Sequence, residues 1–322
     1  MQVFPHHSLG GTTTMLAMLA REWTALGHDV LCWLPHPTVE PSPHLRYVSD
    51  GAFPRHWGPD VVVVHGGILG AVDLGLSPGT TGAPVVEILH RRHPARPGAT
   101  RYVAVSRAVA DVQFEVACRV IPNGVRLPQG GTTRARARAA LGIDEDAVVV
   151  ARHGRIAIEK GWHWTMSVME RVWAAGLPAW LLVVGAGDGP AAAVLRGWAR
   201  NRRCVLHAWS PSPADQLVAA DLYLETSPDE AFGLAVAEAG LLGLPVVAFA
   251  APGVAETLGG ACPTVALGDS AAAADLLFTL AHDERGRRRV AERLRRRVAA
   301  RYAPGRCARR YLELFEEVLA GA

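Results

Sequence analysis

Short apolar runs alternate with stretches of helical spacing along nearly the whole chain, and this alternation limits the fold more than any other feature. Runs that are apolar throughout, with no polar residue at every second position, fit strands covered on both faces, which is the habit of parallel sheets. Parallel strands need helical crossovers, so the pattern predicts an α/β architecture. In the first half the predicted strands are Met1–Phe4, Asp29–Leu34, Asp60–His65, Val85–His90, Tyr102–Ser106 and Arg119–Pro122. In the second half they are Ala147–His153, Trp180–Gly185, Val205–Ala208, Asp221–Thr226, Pro245–Phe249 and a short run at Thr264–Ala266. Thr13–Leu26 carries Leu16, Leu19, Trp23 and Leu26 at helical spacing, with Gly27 suited to end the helix.

A chain of 322 residues with 50% apolar content has room for two medium domains, each with its own core. The pattern breaks at Gln129-Gly130-Gly131-Thr132-Thr133, inside a linker placed at Arg126–Ala140, and Arg134–Leu141 reads as a short helix. The predicted domains are therefore 1–128 and 141–302. Asp283–Leu319 is helical and rich in arginine, with Val290, Leu294 and Val298 as its apolar stripe. A solvated helix packed by one stripe is the favoured reading; weak peripheral contact with an anionic membrane is the alternative.

A net charge of +3 is too small to argue for nucleic acid, and no nucleic-acid-binding signature is present. No apolar run approaches the roughly 20 residues of a membrane helix, and the N-terminus does not read as a signal peptide. The five cysteines are scattered, which fits reduced thiols and a cytoplasmic setting. The wealth of Ala, Arg and Gly suggests a GC-rich bacterial genome. No His, Cys, Asp or Glu cluster has metal-ligand spacing, so no metal site is expected.

The chemistry concentrates in Ser227-Pro228-Asp229-Glu230-Ala231-Phe232-Gly233-Leu234-Ala235-Val236-Ala237-Glu238. Glu230 falls in a strand-to-helix turn and Glu238 about one turn into the helix. Between them Phe232, Gly233 and Leu234 offer backbone N–H groups at a helix N-terminus, a natural seat for a phosphate. Four more elements stand in order along the chain: Gly10-Gly11-Thr12; Val120-Ile121-Pro122-Asn123-Gly124-Val125 with Val103-Ala104-Val105-Ser106 before it; His153-Gly154-Arg155 with Glu159-Lys160-Gly161; and Val183 to Pro190, a strand followed by G-A-G-D-G-P. Together these resemble the retaining glycosyltransferases of family 4.

That resemblance implies the GT-B fold: two Rossmann-like parallel-sheet domains facing across a cleft, with a terminal helix, 303–322, crossing back to the N-terminal domain. It implies a nucleoside-diphosphate sugar, UDP- or GDP-linked, held mainly by the C-terminal domain. A hydroxyl-bearing acceptor docks on the N-terminal domain, in bacterial glycan, glycolipid or natural-product biosynthesis. The activity would be a metal-independent, retaining hexosyl transfer with no cofactor beyond the donor.

By the same resemblance Glu230 lies by the donor sugar and Glu238 takes the ribose hydroxyls. Ala231 stands where that family most often has proline. Arg155 and Lys160 supply cations for the diphosphate, where leaving-group charge develops. Gly10 and Gly11 admit a phosphate or sugar close to the backbone. His90 resembles the family's histidine near the donor sugar, with His93 as its competitor; for His65 a core role outweighs one on the acceptor side. Trp209 is placed by the nucleotide base. His153 reads as structural, and Gly185, Gly187 and Gly189 as a turn. An epimerase or sugar phosphorylase on the same fold, or a non-catalytic partner, are the rival readings. The first half is short for the family.

Overall fold

The computed structural model describes residues 1–3, 10–34, 46–49, 53–66, 70–126, 130–210 and 212–321. Phe4 of the expected first strand and residues 127–129 of the expected linker lie outside them. The chain divides into two compact units: Met1–Gly124 with Tyr302–Ala322, and Val125–Arg301.

Among the described residues the first unit holds a sheet of seven strands: β1 (Gln2–Val3), β2 (Cys32–Trp33), β3 (Tyr47–Val48), β4 (Val62–Gly66), β5 (Val85–Leu89), β6 (Arg101–Ala104) and β7 (Cys118–Val120). Their order is β3-β2-β1-β4-β5-β6-β7 and every pairing is parallel. One face buries Val3, Trp33, Val62, Val64 and Val85 together. The other packs Cys32 and Leu34 against Leu16 and Ala20 of the helix Gly11–Ala25. With both faces covered, the central strands have no use for alternation, which explains their unbroken apolar runs. The helix ends at Gly27, whose φ of 91° suits glycine and whose N–H donates to the Thr24 carbonyl.

The last helix, Pro304–Ala320, belongs to this unit and packs on Gly11–Ala25. Trp23 donates its indole N–H to the Ala308 carbonyl at 3.1 Å and meets Tyr311 and Phe315 edge-on. Gly124 is required here: a Cβ on it would come within 2.9 Å of the Pro304 backbone.

Among the described residues the second unit has a six-stranded sheet of β8 (Val149–His153), β9 (Trp180–Val184), β10 (Cys204–His207), β11 (Leu222–Glu225), β12 (Val246–Phe249) and β13 (Thr264–Val265). The order is β10-β9-β8-β11-β12-β13, again parallel throughout. Val150, Leu181, Val183, Leu222, Leu224, Val247 and Phe249 pack with Met169, Val172 and Leu277 in its core. The arginine-rich helix Glu284–Arg301 buries Leu294 and Val298. Leu294 lies over Gly240, where a Cβ would come within 2.7 Å of it. In both sheets the first six strands run 3-2-1-4-5-6, so chain direction reverses beside the first strand, and ligands of such sheets bind at that switch point.

Candidate functional site

In the second unit the switch point lies between β8 and β11, and the loops leaving these two strands carry most of the chemistry. The sheet buries two charged residues here, Arg152 one residue before the end of β8 and Glu225 at the end of β11. Arg152 donates to Glu225 Oε1 at 3.0 Å, to the hydroxyls of Thr165 at 2.5 Å, Thr226 at 2.7 Å and Ser227 at 3.2 Å, and to the Lys160 carbonyl. Its guanidinium lies 4.2 Å from the Trp162 ring centroid, within cation–π range. Burial pushes the Glu225 carboxyl up, but Arg152, the hydrogen bonds from Ser227 and the charge of Lys160 outweigh it and hold Glu225 below its ordinary value. The buried pair thus ties the β8 loop to the β11 loop.

That tie sets Lys160 opposite Glu230, with Nζ 2.5 Å from Oε1. Both side chains keep some solvent access, at 28% and 17% exposure, so a ligand can reach them. Gly161 follows Lys160 with φ of 63°, and a Cβ there would meet the Thr226 carbonyl oxygen at 2.4 Å. Only glycine lets the two loops approach so closely. The Glu230 loop is held from behind: its carbonyl accepts from Gly253 N–H at 3.0 Å, and the Phe232 carbonyl accepts from the Thr257 hydroxyl at 2.6 Å. Phe232 buries its ring, Gly233 turns the chain with φ of 87°, and the helix Leu234–Leu241 begins with no side chain capping it. One turn in, Glu238 Oε2 meets His153 Nε2 at 2.7 Å.

Arg155 is half exposed and pairs with Glu159 at 2.7 Å. Gly185 and Gly187 have a packing reason. A Cβ on either would fall within 2.3 Å of the Gly154 or Ile156 carbonyl oxygen, because this turn carries the Gly154–Ile156 loop on its back. Trp209 leaves the end of β10 with 46% of its surface exposed, an unusual amount for tryptophan.

The switch point of the first sheet lies between β1 and β4. Gly10 precedes the helix Gly11–Ala25 without a side-chain cap. His65 is in β4 and His90 immediately follows β5. Their rings are nearly parallel, with His65 Nδ1 and His90 Nε2 3.1 Å apart. His65 Nε2 lies 2.7 Å from Gln2 Oε1. Burial and the His90 neighbour push His65 well below its ordinary pKa; burial alone pushes His90 to about 3. Both rings are therefore neutral near pH 7. His93 is exposed and turned back on the Pro94 carbonyl. On the other face of β5, Glu87 is buried and accepts from Ala71 N–H, and burial raises its pKa.

The structure thus gathers Lys160, Glu230, Phe232, Gly233, Leu234 and Glu238 at one switch point, and it sets Gly10, Gly11 and His90 at the other. Sequence reasoning missed Arg152, Glu225 and the pairing of His153 with Glu238. The signal was present: an arginine inside a strand that otherwise reads as buried needs a partner.

Residues 147–283 match the family model for Glycosyl transferases group 1. The D-inositol 3-phosphate glycosyltransferase of Segniliparus rotundus is 38% identical over 142 residues, 40% of this chain and 31% of that protein. The chain thus matches only about a third of that relative's length. Over its whole length the chain superposes on a glycosyltransferase from Rickettsia africae with a TM-score of 0.83 at 15% identity, covering 100% of this chain and 99% of that one. HepE from Anabaena, solved with UDP-glucose, gives 0.83 at 18% identity, with 98% and 100% covered. At these identities the likeness is one of fold. The chain has the GT-B fold, and its second unit carries the sequence signature of glycosyl transferases group 1.

Proposed function

We propose that the protein is a retaining, metal-independent glycosyltransferase that moves a hexose from a UDP- or GDP-linked donor to an acceptor hydroxyl. The observation that carries this reading is the Lys160–Glu230 pair beside the uncapped N-terminus of the helix Leu234–Leu241, with Glu238 one turn in, at the switch point of the second sheet. Cation, helix N-terminus and carboxylates of this kind match the parts of a nucleoside-diphosphate sugar. The family match over 147–283 and a fold neighbour solved with UDP-glucose support the same donor class.

In this reading the donor diphosphate settles at the N–H groups of Leu234 and its neighbours and draws Lys160 and Arg155 to it. As the bond from the anomeric carbon to the diphosphate breaks, negative charge grows on the leaving oxygen. Fixed cations and aligned N–H groups stabilise that charge more than the ground state, which lowers the barrier. Glu230, steadied by Lys160, receives sugar hydroxyls. Glu238, one oxygen held by His153, offers the other to the ribose. Gly10, Gly11 and His90 line the switch point of the first sheet, where a ligand hydroxyl can be received, and Trp209 lies by the base. The acceptor oxygen bonds to the anomeric carbon on the face the diphosphate leaves, and the diphosphate takes its proton. Configuration is then retained without a covalent enzyme intermediate. Among the described residues no group of three or more His, Cys, Asp or Glu is placed to hold a metal ion.

The test is incubation with UDP- and GDP-sugars and a panel of hydroxyl acceptors in excess EDTA, with products read by mass and by anomeric NMR. A new glycoside with the donor's configuration is expected. Epimerised donor, sugar phosphate, an inverted product or loss of transfer in EDTA restored by Mn²⁺ would each overturn part of the proposal.

A further inference from the structure

Gln2, His65 and His90 form a hydrogen-bonded row across three neighbouring strands, β1, β4 and β5, on the sheet face covered by the helix Gly11–Ala25. Gln2 and His65 have almost no contact with solvent. Each link of the row restricts the next, and one end is anchored by a group that can only accept. The Leu16 carbonyl lies 3.4 Å from Gln2 Nε2, with the Cys32 sulfur at 3.9 Å. A backbone carbonyl oxygen accepts and never donates, so the Gln2 amide nitrogen faces it and the amide oxygen faces His65. That oxygen, 2.7 Å from His65 Nε2, can only accept, so His65 carries its proton on Nε2. A neutral imidazole has one N–H, which leaves Nδ1 of His65 as a bare lone pair 3.1 Å from His90 Nε2. His90 must then donate from Nε2. Its own Nδ1 is left as an acceptor, with no hydrogen bond from a described residue.

We infer that Gln2 and His65 are positioning residues that lock His90 in the Nε2–H tautomer, so that His90 Nδ1 accepts a hydrogen bond from a hydroxyl of a ligand bound at the switch point of the first sheet. The second half of this inference rests on the proposed glycosyltransferase reading; the tautomer itself does not. The low pKa directions of both rings agree with a neutral row. The consequence is selectivity. An imidazole that only accepts at this point favours a sugar with a hydroxyl over the deoxy analogue, and does nothing for a substrate oxygen that can only accept.

The experiment uses the full chain labelled with ¹⁵N-histidine, read near pH 7 by long-range ¹H–¹⁵N correlation, with His90 assigned from its loss in His90→Gln. Wild type should show His65 and His90 each protonated at Nε2 and bare at Nδ1. In His65→Leu the acceptor is gone, and His90 should spread over both tautomers. Turnover should then fall by about tenfold or more, the worth of one hydrogen bond, while KM for the donor changes little. In His65→Asn the amide oxygen replaces Nδ1, and both the Nε2–H signature and most of the turnover should return. A wild-type His90 protonated at Nδ1, or at both nitrogens, overturns the inference. So does an unchanged His90 tautomer in a folded His65→Leu. If the leucine variant does not fold, the wild-type and asparagine spectra decide alone. If the spectra hold but no sugar is transferred by wild type, the functional reading fails and the tautomer lock stands.

Discussion

Replacing Glu225 by glutamine tests how the second unit holds its loops. The change keeps shape and removes one charge, leaving Arg152 buried with hydroxyls and a carbonyl but no anion. Both side chains are nearly sealed from water, at 2% and 4% exposure, so solvent screening gives little relief. Breaking a buried ion pair from one side costs about 3–5 kcal/mol. In a unit of this size each kcal/mol moves Tm by about 2–4 °C, so the loss should be roughly 6–20 °C. The pH dependence is a second signature. Glu225 is held below its ordinary value of 4.5, so its contribution is complete above that pH and disappears as pH falls through the folded value. Calorimetric melts of both proteins from pH 7 to 3 should therefore converge as pH drops. Because Arg152 also binds the Lys160 carbonyl, the variant should bind nucleoside diphosphate more weakly at 25 °C, where it is still folded. A Tm within 2 °C of wild type at pH 7, or a constant gap across the whole pH range, would refute this account of the pair.

Two further outcomes follow from the same loops. Glu230→Ala should lose most turnover with a correctly identified substrate pair while nucleoside diphosphate still binds in calorimetry; near wild-type rates would remove Glu230 from the reaction. Gly161→Ala forces a Cβ against the Thr226 carbonyl oxygen at a φ of 63°, and should cost about 1–3 kcal/mol in denaturant melts; an unchanged midpoint would show that the loops give way freely.

The strands were legible because both faces of each sheet are covered, so their sequences are apolar without interruption, as in Val62–Val64 and Leu222–Leu224. The strand β3, Tyr47–Val48, was not: Tyr47 is exposed and Val48 only partly buried, and such a short stretch sets up no pattern. The helix Arg134–Leu141 appears with the expected bounds, since Thr133 caps it and Gly142 ends it in the left-handed region. At the site, residues on one loop, such as Glu230 through Glu238, could be grouped from spacing alone. Pairings across loops could not. Arg152 and Glu225 are 73 residues apart, and His153 and Glu238 are 85 apart, so only the adjacency of β8 and β11 unites them. The glycine-rich segment after β9 reads as a turn in the sequence, and the structure supplies the reason for its glycines: Gly185 and Gly187 pack against the backbone of the neighbouring loop.

The central claim is that the Lys160–Glu230 loops receive the diphosphate of a nucleotide-sugar. The most direct measurement is calorimetric titration of UDP and GDP, each beside its nucleoside, into wild type and Lys160→Ala. Losing one charge-assisted contact is worth about 1.5–3 kcal/mol, so the preferred nucleoside diphosphate should bind roughly 10- to 150-fold more weakly to the variant. Its nucleoside should bind both proteins alike. An equal loss for nucleoside and nucleoside diphosphate, or wild type binding neither diphosphate, would contradict the account.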